Sequence, residues 1–160
     1  REDSSKGVGR VRDFPYMAPT VKEIQPYLDF CREAGIEPPD GRVHLSKGDL
    51  HLLPDALCDL QGLKAVRIGL YLGSLLPGRF QPSNGLAPAL ERQTALRQID
   101  LPADDSEVIR YLKGETLLPK EGWVEGNGWL LVSTDGFPLG FAKRLGGIIK
   151  NHFPASWRIR

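Results

Sequence analysis

Apolar residues recur at helical spacing in "TVKEIQPYLDFCREAG", where Tyr27, Phe30, Cys31 and Ala34 fall on one face. Pro26 cannot sit inside a helix, so the spacing predicts a helix beginning near Gln25, with Gly35 as its stop. Thr20 and Glu23 have the separation of a capping box at its entrance. Alternation of period two then takes over in "RVHLSKGDLHLLP", which predicts a hairpin about Lys47-Gly48 with His44 and His51 near each other across it. Ala65 to Leu72 reads as a strand. A polar turn at Gly78-Arg79 follows, and "PSNGLAPALERQ" reads as a helix opening at Pro82 or Ser83. "LRQIDL" is a short strand. "ADDSEVIRYLKGE" is a compact helix capped by its leading acids, with Val108, Ile109 and Leu112 inward and Gly114 as its stop. The remainder is β-rich: "GWLLVST", an Asp135-Gly136 hairpin turn, "FPLGFAKRL" and "GIIKNHF". The fold class expected is α+β, ending in a small, strongly curved sheet or barrel.

With 160 residues the chain can bury a core as one domain or two small ones. No apolar run is long enough to span a membrane, so no membrane partner is expected. The opening "REDSSKGVGRVRD" lacks the apolar centre of a signal peptide and reads as a linker, residues 1–13, from an upstream domain. Cys31 and Cys58 stand alone in sequence, which suits free buried thiols in a reducing cytoplasm. Charge is unevenly spread. The segment after Asp135 carries Lys143, Arg144, Lys150, Arg158 and Arg160 and no acid, so the net +1 leaves −4 on everything before it. That separation suits an anionic partner at the C-terminal end, or simply a solvated basic surface.

Catalytic chemistry is not apparent. Gly7-Val8-Gly9 follows no apolar strand, no phosphate loop or zinc spacing occurs, and no serine sits in a nucleophile elbow. His44 and His51 lack a third ligand, which favours cross-strand packing and no metal. Neither cysteine has a neighbouring base or cation to activate it. Asp104 and Asp105 precede an apolar helix and are read as caps. The chain is expected to have no catalytic residues.

Three ordered stretches carry a resemblance: "GLYLGSLLPGRFQPSNGLAPAL" (69–90), "YLKGETL" (111–117) and "GWLLVSTDGFPLGFAKRLGGIIKNHFP" (128–154). They resemble the C-terminal region of bacterial RsmF-type ribosomal RNA cytosine-5 methyltransferases of the Nol-Nop-Sun group, over about residues 50–154. The match includes Gly69, Gly73, Arg79, Phe80, Tyr111, Gly114, Trp129, Asp135, Gly136, Gly140, Lys143, Lys150, Asn151 and Pro154. It departs at Asn84, where histidine is usual, and after Pro154, where "ASWRIR" replaces a Lys-Gly-Leu-Arg ending.

The resemblance implies a pre-PUA segment over residues 14–97 and a PUA-like, mixed β-barrel RNA-binding domain over residues 98–160. It implies an upstream Rossmann-like domain that binds S-adenosylmethionine and uses cysteines in Pro-Cys and Thr-Cys motifs. Cys31 follows Phe30 and Cys58 follows Leu57, so neither fits, and no cofactor is expected in this chain itself. The implied partners are rRNA or the small ribosomal subunit and the methyltransferase domain in cis, in the cytoplasm. In such a module Lys143, Arg144 and Lys150 supply phosphate contacts. Gly140, Gly146 and Gly147 let a sugar–phosphate backbone approach closely. Phe141 and His152 stack on an unpaired base, and Asn151 reads a base edge or 2′-hydroxyl. Packing readings stand beside these. Phe141 suits the core equally well, Trp129, Leu131 and Phe137 suit core or cross-strand packing, and Arg79 suits either a phosphate or turn carbonyls. The alternative function is a structural module that docks on the methyltransferase domain or a ribosomal protein with little RNA contact. It predicts an exposed apolar patch around Tyr27–Phe30 or Leu75-Leu76.

Overall fold

The computed structural model describes residues 18–53, 69–90 and 95–160. The linker reading of residues 1–13, Cys58 and the first part of the strand expected from Ala65 lie outside those residues. Helix α1 is Gln25–Ala34, with Pro26 in its first turn and Gly35 in the left-handed region at its C-cap. Thr20 and Glu23 do exchange bonds: the Thr20 amide donates to Glu23 Oε2 (2.7 Å) and the Glu23 amide to Thr20 Oγ1 (3.3 Å). They close the turn that precedes the helix, because Ile24 is the N-cap and makes no side-chain cap. The box sits one turn early, since Pro26 delays the regular helix.

The first sheet is an antiparallel meander of β1 (Arg42–Ser46), β2 (Asp49–Leu53), β3 (Leu70–Leu76) and β4 (Arg79–Pro82). His44 and His51 are direct partners across the first hairpin. The stretch expected to be helical from Pro82 is instead the end of β4, and α2 is only Leu86–Ala89. Its register explains the difference. Arg79 to Pro82 pair with Leu76 to Gly73, a ladder that stabilises these residues more than a first helical turn would.

The second sheet runs β5 (Gln98–Leu101), β6 (Gly128–Thr134), β7 (Phe137–Leu145) and β8 (Ile148–Asn151). Strand β5 joins β6 in parallel through the crossover helix α3 (Ser106–Leu112), and the other pairs are antiparallel. The α+β class is therefore observed as two four-stranded sheets. Among the described residues the order is linear, with β5 and β8 at its edges and one isolated bridge from Leu117 to Ile149, so the expected barrel is not closed: β5 and β8 do not pair. Asp105 caps α3 by accepting from the Glu107 amide. Val108 and Tyr111 face inward, but Ile109 is exposed, because a short helix turns it to the solvent side of the apolar stripe.

Strand β6 is buried on both faces, which is why "GWLLVST" is nearly continuous in apolar residues. Leu130 and Val132 pack with Tyr111, Ala142 and Ile149 on the α3 side. Trp129 and Leu131 pack with Phe141 into a core shared with α1 and the first sheet. Phe30 is the hinge pin of that shared core. Its ring lies 5.2 Å from Phe80, 5.2 Å from Trp129 and 5.1 Å from Phe141. Helix α1, against β4 and β6, and the short α2, against β3 and β7, thus tie the two sheets together, and the seam between them stays open on one side.

Candidate nucleic-acid interface

That open seam is a groove of about 550 Å³ with contributions from both sheets and from α1. From β4 comes Arg79, from β7 Lys143, from β8 Lys150, and just beyond it His152. Lys143 and Lys150 are register partners on adjacent strands, so their side chains leave neighbouring positions on one face of the sheet. Lys143 Nζ lies over the Trp129 ring at 5.4 Å from its centroid, an attraction that fixes the side chain without neutralising it. His152 packs on the other aromatic contact of Trp129, with ring centroids 4.5 Å apart. Burial first, and then the charges of Lys150 and Lys143, pull its pKa down to about 4. It is therefore neutral near pH 7, and its buried Nε2 has no hydrogen-bond partner in the fold.

Four of the residues expected at an RNA surface, Arg79, Lys143, Lys150 and His152, thus converge on one groove. The others do not. Phe141 is buried in the shared core against Phe30, so stacking on a base would require unpacking that core. Gly140 is buried as well. A Cβ there would meet Tyr111 Oη at 2.4 Å, so the missing side chain makes room for a tyrosine and not for a ligand. Tyr111 uses that space to donate to the Phe141 carbonyl at 2.9 Å. Asn151 is a structural clamp. Its Nδ2 donates to the carbonyls of Tyr111 (2.8 Å) and Glu115 (2.9 Å), and its Oδ1 accepts from the Phe153 amide (2.7 Å). Both amide protons are spent, which removes it as a base reader. Arg144 turns away from the groove and donates to the Val124 carbonyl. The Gly146 amide is taken by Asn127 Oδ1 at 2.7 Å.

The groove also holds residues the sequence reading passed over. Gln25, Asp29 and Glu33 recur every fourth residue along the polar face of α1 and line it together. Their i, i+4, i+8 spacing is the signal that was there to be read. Glu33 Oε1 accepts from the Trp129 amide at 3.1 Å, and Asp29 Oδ1 accepts from Gln25 Nε2 at 2.8 Å, so each carboxylate keeps its second oxygen.

Among the described residues no cluster of metal-ligating side chains occurs. Cys31 is free and buried, and burial raises its thiol to about 11, the opposite of activation. The parallel β5–α3–β6 unit has no cofactor cradle, since its connecting segment is "PADD" and an aspartate occupies the helix cap. Among the described residues no helix is long and apolar enough to cross a membrane.

Comparison with known proteins gives two family matches. Residues 98–159 match the methyltransferase RsmF PUA domain, and residues 29–90 match the RsmF rRNA methyltransferase first C-terminal domain. Curated relatives named ribosomal RNA small subunit methyltransferase F include proteins from Shewanella sp. strain W3-18-1 (29% identical over 148 residues) and Shewanella oneidensis (29% over 147). A third, from Shewanella baltica strain OS155, is 28% identical over 147 residues. Each alignment covers 89% of this chain and 30% of the relative, so the chain spans under a third of the length of these proteins.

Proposed function

The chain belongs to the C-terminal region of the RsmF-type rRNA methyltransferases, and from that premise we propose that its groove holds rRNA for a methyltransferase domain upstream in the same protein. In this reading the chain performs no chemistry itself. The upstream domain binds S-adenosylmethionine and methylates cytosine at C5, in the cytoplasm, on free rRNA or on the small subunit. The observation that carries the proposal is the convergence of Arg79, Lys143, Lys150 and a neutral His152, drawn from two separate sheets, on one groove. Cations on the sheets give phosphate contacts, and the aromatic and imidazole beside them give a surface for a base.

The docking alternative fares less well. Of the two places where it expects an exposed apolar patch, Tyr27 and Phe30 are core residues, and Leu75 and Leu76 are half-buried. The test of the leading reading is charge reversal. Lys143→Glu with Lys150→Glu should weaken binding of a structured rRNA fragment at least tenfold by fluorescence anisotropy, with an unchanged thermal melt. Unchanged affinity in the folded double variant would remove the groove from RNA binding.

A further inference from the structure

The groove is not uniformly basic. The sheets contribute Arg79, Lys143 and Lys150, and the turn before α1 adds Lys22, whereas α1 itself contributes the carboxylates of Asp29 and Glu33. A site built only for phosphate would gain nothing from acids on its wall, because they repel the backbone it must hold. Nor is either acid consumed by the fold. Asp29 Oδ1 accepts from Gln25 and forms an exposed, solvent-screened ion pair with Arg32 at 3.3 Å, which leaves Oδ2 open, and Glu33 anchors the Trp129 amide through one oxygen only. Gln25 and Gln81 add amides to the same lining, and His152 adds its partnerless Nε2.

From this division of charge we infer that the groove takes an unpaired nucleotide whose base carries an exocyclic amino group, with phosphate on the cations of the sheets and the amino edge on the carboxylates of α1. Carboxylates accept from the N4 amino group of cytosine, whereas uracil presents a carbonyl oxygen at that position, which they repel. A groove of about 550 Å³ suits one or two unstacked nucleotides and not a duplex, whose recognition spreads over successive grooves. The inference rests on the proposed RNA site but can fail separately from it.

Anisotropy titrations at low salt with the oligonucleotides C6 and U6, equal in length and charge, provide the test. The expected result is C6 binding roughly fivefold to tenfold tighter than U6. Asp29→Asn, which leaves an exposed amide in place, should collapse that ratio to near one while U6 binding holds or improves. Equal affinity for C6 and U6 overturns the inference and leaves the RNA site standing. No binding of either overturns both. A ratio that persists in Asp29→Asn and in Glu33→Gln also overturns it, since the preference then lies elsewhere. Cytidine monophosphate displacing C6 at equal concentration would mark the ligand as a free nucleotide and overturn the polymer reading.

Discussion

His152 illustrates how one residue can be read correctly for place and incompletely for state. It stands where the sequence puts it, beside Lys150, yet its pKa near 4 follows from burial against Trp129 and from two lysines that no local pattern brings together. The unfolded imidazole has an ordinary value near 6.5. Between pH 6.5 and 4 the unfolded chain therefore binds the proton and the folded one does not, so stability falls as pH falls through that window. The side chain is only half-buried, and solvent screening trims the effect to about 1–2 kcal/mol. Thermal melts of the wild type should drop between pH 7 and pH 4.5 by more than those of His152→Asn, in which that proton-linked loss is absent. Parallel curves would refute the assignment. Asn151, next to it, was legible only in hindsight. An asparagine two residues before an amide it accepts from is a turn-forming pattern, and that local bond competes with any reading of the side chain as free.

At the scale of elements the strands and helices were mostly visible in their periods, and the errors have identifiable causes. Phe137 and Phe141 are four residues apart, so strict alternation puts them on one face. The register slips between Val132↔Gly140 and Ser133↔Pro138, leaving Leu139 unpaired, and the bulge flips the pattern. Phe141 is consequently core while Phe137 is exposed. The short helix α2 and strand β4 were misread for a related reason, since a tertiary ladder overrode a local proline signal. What no period could show is that α1 serves two sheets. Phe30→Ala removes the ring shared by Phe80, Trp129 and Phe141 and should cost about 3–5 kcal/mol. The first and second sheets should then separate in urea: hydrogen exchange would speed up on both sides of the groove before β6 and β7 lose protection on their α3 face. A single cooperative loss across both sheets would show that α1 is not the coupling element.

For the molecule as a whole, the +5 of the last segment suggests a field, but the fold converts it into a local device. Arg158 is tied to the Phe153 carbonyl, and Arg144 to that of Val124, so part of that charge is structural. At physiological salt, cations more than about 8 Å from a phosphate are largely screened, which leaves direct contacts to govern affinity. Arg79, Lys143 and Lys150 line the groove, and three phosphate contacts to a single strand predict a log–log salt slope of about −2. Replacing Lys143 and Lys150 by alanine should bring the slope to about −0.7, the value for one remaining contact. Asp29→Asn removes a base contact and not a phosphate contact, so it should leave the slope at about −2 even where it changes the preference between bases. The two variants thus move different observables, and a slope that survives loss of both lysines would place the phosphates on another face, with Arg160 the first residue to examine.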